Sequence, residues 1–188
     1  MTKQINRVQF TLNPAKVTLT MDEIKTIIRA AGDIVYQGGR SLLAKILKGS
    51  KAKKLVELAL DNNPSYRAFK NDSIEIITSK IDWMIKNHYL NIEYDYRLPL
   101  IIYEERGFEI AKDLISDEYF ESIKVAVDKS EYQLALNLKD KNRDTIFILL
   151  EKIRKNNDNR FIPFLEYWKE NDYKKVRARI NSVINDLK

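Results

Sequence analysis

The sequence predicts a mainly helical chain with one small β-hairpin. Three observations carry that prediction. Several segments repeat apolar residues at helical spacing, the spacing switches once to two between Leu90 and Tyr103, and a helical pattern then resumes to the end of the chain. A length of 188 residues suits one domain or two small ones, and 44% hydrophobic residues are enough for a core.

Taken in order, residues 1–19 form an N-terminal arm in which Arg7 to Leu12 alternates polar and apolar residues, as a short strand or extended piece does before Pro14. Thr20-Met21-Asp22-Glu23 has the form of a capping box and opens a helix with Ile24, Ile27, Ile28, Ala31, Ile34 and Val35 on one face. Gly38-Gly39 supplies the freedom for a turn into a second helix bearing Leu42, Leu43, Ile46 and Leu47, and Gly49 stops it. Ser50 is the candidate N-cap of a third helix through Leu55, Val56, Leu58, Ala59 and Leu60. Asp61-Asn62-Asn63-Pro64 is a turn cluster that leads into a short helix over Ser65 to Phe69. Asp72-Ser73-Ile74-Glu75 looks like a capped start of the next helix, whose apolar positions are Ile74, Ile77, Ile81, Met84 and Ile85. Leu90, Ile92 and Tyr94, then Leu100 to Tyr103, read as two strands around Asp95–Pro99. Gly107 ends the hairpin region, and Phe108, Ile110, Ala111, Leu114 and Ile115 mark a closing helix. Helices followed by one hairpin is the order of a winged helix-turn-helix module, here residues 20–115.

Charge is concentrated in one place. The stretch from Arg40 to Lys54 carries Arg40, Lys45, Lys48, Lys51, Lys53 and Lys54 and no Asp or Glu, while the whole chain nets +6. A helix start among lysines attracts anions such as phosphate, although lysine-rich helix ends are also ordinary solvated surface. The remaining composition narrows the classes. With no cysteine there is no disulfide, thiolate zinc site or cysteine nucleophile, and His88 is the single histidine, so multi-histidine metal sites are excluded. The carboxylates are mostly interspersed with lysines, and no pair suggests acid–base catalysis. Met1 to Arg7 lacks the apolar core of a signal peptide, and no run spans a bilayer; a cytoplasmic protein without a membrane partner is expected.

Three strings carry a family likeness: Gly39 to Lys51 with its Leu47-Lys48-Gly49-Ser50 corner, Ile81 to Leu90, and Tyr103 to Ile110 with its Gly-aromatic pair. Together they resemble the RQC domain of RecQ-type DNA helicases, a winged helix that binds duplex DNA and duplex-to-single-strand junctions. The resemblance implies that Lys48, Gly49, Ser50 and Lys51 hold a backbone phosphate. It also implies that Tyr96 and Arg97, at the hairpin tip, face the terminal base pair or the groove. A tip aromatic separates strands in some relatives; covering the sheet edge is the other role open to Tyr96. The chain lacks a Gly-x-x-x-x-Gly-Lys-Ser/Thr loop, a helicase core and the zinc-binding cysteines that precede this domain in helicases.

Residues 116–188 read as helical, and a shift of 30 superposes Leu138 on Trp168, Ile146 on Val176, Leu150 on Ile180 and Ile153 on Val183. Two helix-pair units turn at Asp140-Lys141-Asn142 and Glu170-Asn171-Asp172, a pattern similar to HEAT-type repeats; a plain helical bundle is the alternative. Lys174, Lys175, Arg177 and Arg179 gather near one end of the last helix.

The expected function is non-enzymatic binding of duplex, end or junction DNA in repair, replication or recombination. Arg40, Lys48, Gly49, Ser50, Lys51, Lys53 and Lys54 would serve as the phosphate contacts, and Tyr96 and Arg97 as the wing. No cofactor and no metal are expected. A helicase or other repair protein is the anticipated protein partner, and a protein-interaction adaptor in a DNA-processing complex is the alternative.

Overall fold

A computed structural model describes residues 7–16 and 18–188 of the chain. The expectation of no signal peptide rests mainly on residues 1–6, which lie outside the described residues. The chain divides into two compact units, Met1–Ala111 and Lys112–Lys188.

In the first unit, α1 (Met21–Gly32) opens on the capping box. Glu23 N–H donates to Thr20 Oγ1 at 3.2 Å and Thr20 N–H donates to Glu23 Oε2 at 2.9 Å, satisfying two donors that a helix start leaves unpaired. Its buried face is Ile24, Ile27, Ile28 and Ala31. α2 (Arg40–Lys48) packs on α1 and on α4 (Ile74–Lys86) through buried Leu43, Ile46 and Leu47. Ser73 caps α4 by accepting the Ile76 N–H, and Ile77, Ile81 and Met84 are buried; Ile74, expected on that face, is exposed one turn too early.

β1 (Leu90–Asp95) and β2 (Leu98–Tyr103) pair antiparallel from Leu90↔Tyr103 to Asp95↔Leu98, leaving Tyr96-Arg97 as a two-residue turn. Residues 36–38 run beside β2, where Tyr36 N–H donates to Ile101 O and Ile101 N–H donates to Gly38 O. Tyr103 Oη donates to Ile28 O at 2.8 Å and ties the wing to α1; burial pushes its phenol above the usual range.

Several expectations are corrected here. Of the two readings of residues 7–12, the strand is not formed; the segment is held by Val8 N–H donating to Arg97 O and by Tyr94 Oη donating to Val8 O. Neither Gly38 nor Gly39 has positive φ. Glycine is needed at 39 because a Cβ there would stand 2.6 Å from Pro99 O. The third helix, α3 (Lys53–Glu57), is only five residues long and its N-cap is Ala52, not Ser50. It stops early because Ala59 turns left-handed at φ 53, which leaves Val56 and Leu58 exposed. Ser65 to Phe69 forms turns rather than a helix, since Arg67 N–H and Phe69 N–H donate to Ile46 O and Leu47 O instead of to their own segment. Gly107 lies inside α5 (Glu105–Lys129), where a Cβ would sit 1.9 Å from Tyr89 O. α5 runs past Ile115 without a break, so periodicity shows no boundary at 116.

The second unit has its own core. Trp168, Phe161, Phe164, Leu149, Leu150 and Ile180 are among its fully or nearly fully buried residues, and Trp168 Nε1–H donates to Asp172 Oδ2 at 2.7 Å. The elements are a 3-10 stretch over Tyr132–Leu138, then α6 (Arg143–Asn156), α7 (Ile162–Asn171) and α8 (Lys174–Asp186). The first member of the first pair is thus not an α-helix. The 30-residue correspondence still holds in burial: Leu138 and Trp168, Ile146 and Val176, Leu150 and Ile180, and Ile153 and Val183 are all core.

Candidate nucleic-acid interface

The basic corner is built by the end of α2. Gly49 is left-handed at φ 78 and ψ 43, and its N–H donates to Lys45 O and Ile46 O; Ser50 N–H donates to Lys45 O at 2.9 Å. These bonds close the helix and use both amides, so the backbone of Gly49 and Ser50 does not supply the phosphate donors. Ser50 Oγ accepts the Ala52 N–H at 3.2 Å. With α3 this short, its dipole is also a minor attraction. A phosphate seat at this corner is therefore made by side chains.

Those side chains differ in availability. Arg40 is committed to the fold: Nη1 lies 2.5 Å from Asp82 Oδ1 and 3.3 Å from Thr11 O, and the guanidinium stacks 4.9 Å from the Phe10 ring centroid. Asp82 is buried, and its other oxygen accepts the Asn13 N–H at 2.7 Å. Lys48 Nζ donates to Lys70 O and Asp72 O, both at 2.7 Å, and clamps the chain after the corner. Lys53 faces Glu57 at 3.6 Å on an exposed helix turn, a contact of little energy. Lys45, Lys51 and Lys54 are exposed and make no ion pair among the described residues.

The fold adds a cation that sequence reasoning missed. Arg67 lies across Gly49 so closely that a Cβ on Gly49 would sit 1.9 Å from Arg67 Cγ. The segment is strapped there by the Arg67 and Phe69 amides and by Tyr66 Oη donating to Ser50 O at 3.1 Å. Arg67 itself has φ 65, a left-handed conformation rare outside glycine. Arg67 and Lys70 are both exposed, and the signal was available: Asn62 to Asn71 contains these two cations and no Asp or Glu.

Next to the corner, a groove of about 410 Å³ runs between α2 and the wing, lined by Ser41, Lys45 and Lys54 on one side and Ile92, Leu98 and Leu100 on the other. Tyr96 at the wing tip is 63% exposed with φ 53, and the Arg97 guanidinium lies 5.4 Å from its ring centroid. A bulky residue held left-handed at an exposed tip costs about 1 kcal/mol, and such strain is retained where a side chain must be aimed. Lys80, behind the site, is held by Glu23 at 2.9 Å and Asp72 at 2.7 Å. The hydrogen bond from Lys80 holds the Glu23 carboxyl below its usual range, with Thr20 adding to it against the effect of burial. His88 Nδ1 lies 3.0 Å from Glu104 Oε2, a local contact. Among the described residues, no three His, Cys, Asp or Glu side chains are placed to hold a metal ion, and no helix is long and apolar enough to cross a membrane.

Helices α1, α2 and α4, a basic corner after α2 and a two-stranded wing define a winged-helix domain of the DNA-binding class. The family model described as the RQC domain matches residues 17–113, just over half of the chain, and the protein belongs to that family. In RecQ helicases the domain is a DNA-binding winged helix and is not itself catalytic. No curated protein and no solved structure matches the chain.

Proposed function

We propose that this protein binds duplex or junction DNA without catalysing a reaction on it, in DNA repair, replication or recombination. The phosphate backbone sits on the corner after α2, and the wing is laid against the duplex end. The reading is carried by one observation: Lys51 and Lys54 after Gly49, and Arg67 and Lys70 on the segment strapped to that corner, are exposed and have no carboxylate partner among the described residues. Four such contacts would make log K fall with log salt at a slope of about −3 to −4. Lysines here act as point charges, so the corner reads backbone rather than bases.

An anisotropy titration with blunt and forked duplexes over a range of salt tests this. The triple variant Lys51→Gln, Lys54→Gln, Arg67→Gln should make the slope shallower by about 3, one for each charge removed. Wild-type protein that fails to bind either duplex at low salt would exclude the reading. A second reading, docking of a helicase or other protein in a DNA-processing complex, is favoured by exposed Val56 and Leu58 on the corner's far side in sequence. Binding unaffected by salt would support it.

A further inference from the structure

We propose that the second unit carries its own phosphate-binding face for DNA, made by Lys139, Lys141 and Arg143 at one helix-to-helix turn and Lys174, Lys175 and Arg177 at the other. The inference rests on the DNA-binding reading of the first unit for the identity of the polyanion. It concerns residues to which nothing in the family match extends.

The two turns come together because the 30-residue correspondence stacks α6 and α8 in contact and the 3-10 stretch on α7. A recess of about 260 Å³ is shared between them, lined by Lys139, Lys141 and Arg143 from the first and by Tyr173 and Val176 from the second. Lys139 Nζ lies 5.1 Å from the Tyr173 ring centroid, and Tyr173 Oη donates to Asp140 Oδ1 at 3.2 Å. Lys174 and Lys175 follow directly, and Arg177 is one turn further on.

Charge in this unit is segregated. Away from the turns, many cations sit on carboxylates: Lys152 on Asp113 and Asp117, Arg154 on Glu151 and Asp186, Arg160 on Asp128 and Asp158, Arg179 on Glu151. At the turns, all six cations are exposed and none has a carboxylate partner among the described residues. Two of the nearby acids are engaged otherwise. Asp172 is buried and accepts from Trp168 Nε1–H and the Tyr173 N–H, Asp140 accepts from Tyr173, and Asp144 lies in the first turn of α6. Six exposed cations against four acids, Asp140, Asp144, Glu170 and Asp172, leave a local excess of positive charge.

A patch with an excess of one sign concentrates counter-ions, and it is relieved by a partner whose charge is closely spaced. Duplex DNA, with one negative charge per roughly 1.7 Å of axis, is such a partner. Five of the six are not placed over an aromatic ring among the described residues, so the face suits backbone contact rather than a stacked base.

The test uses the full chain. Lys141→Gln, Arg143→Gln, Lys175→Gln removes three exposed charges that make no ion pair or side-chain hydrogen bond among the described residues. Against a labelled duplex, affinity at low salt should fall about tenfold or more and the salt slope should lose about 2 to 3. An unchanged slope overturns the proposal. Loss of slope in the Lys51, Lys54, Arg67 variant alone leaves the corner reading standing and this one refuted; absence of any duplex binding by wild type refutes both. Loss of binding to phosphatidylserine vesicles with duplex affinity intact would make this a lipid-facing surface and also overturn it. The charge-preserving Lys141→Arg, Lys175→Arg variant should keep the wild-type slope; if it does not, packing rather than charge is responsible and the proposal fails.

Discussion

Replacing Arg40 by Met separates the two roles that a cation in the basic stretch can have. In the structure Arg40 is the partner of Asp82, whose side chain is 2% exposed, at 2.5 Å. Removing the guanidinium leaves that carboxylate out of water with the Asn13 N–H as its remaining hydrogen bond. Breaking one side of a buried pair costs about 3 kcal/mol at the lower end of measured cases, which suits an arginine that is itself 21% exposed. Hydrogen exchange of α4 amides reads this locally, and protection should fall about a hundredfold. The salt slope of DNA binding should be unchanged while the unit stays folded. Adding Asp82→Leu should restore most of the protection, because the unpaired charge is then gone. Unchanged protection together with a slope smaller by about one would refute the reasoning and make Arg40 a phosphate contact.

Three further outcomes follow from named contacts. Tyr96→Asn places a residue that tolerates the left-handed region at φ 53, so amide exchange in β1 and β2 should slow by about 0.5–1 kcal/mol. Any preference for forked over blunt duplex should disappear with the ring; a preference that survives means the tip does not face the duplex end. Gly107→Ala drives a methyl to within 1.9 Å of Tyr89 O, a backbone atom that cannot swing away, and should cost about 3 kcal/mol in a chemical denaturation of the chain. A loss under about 0.5 kcal/mol would show that α5 shifts freely. Because Lys80 holds the Glu23 carboxyl below its usual 4.5, this contact stabilises the fold at pH above that value, and the stabilisation is lost as pH falls through the lower folded value. Lys80→Met should flatten the decline of the melting temperature in that window, and parallel curves for the two proteins would disprove the assignment.

Much of the first unit was legible because its signals are local. The Thr20–Glu23 capping box, the capped start within Asp72–Glu75 and the Gly49 stop each act within a helical turn, and the alternation in Leu90–Tyr94 together with the apolar run Leu100–Tyr103 marks the hairpin. The strings that resemble the RQC domain fall inside the matched residues for the same reason. The shorter α3 was not legible, since Val56 and Leu58 have the right spacing and lose their place only when Ala59 turns left-handed. The first helix pair of the second unit kept its buried positions yet wound as a 3-10 stretch, because burial at 135 and 138 is met by either helix.

By itself, the sequence determined the long helices of the first unit, the capping box of α1, the hairpin, the family, and the presence of a cationic stretch free of acids. It could not rank the cations, because Arg40, Lys48 and Lys51 look alike when only near neighbours are visible. Tertiary packing decided that: Asp82 reaches Arg40 from 42 positions away, two carbonyls from 22 and 24 positions away take Lys48, and Arg67 is carried onto Gly49. Electrostatic availability depends on distance in space, and only the folded chain sets those distances.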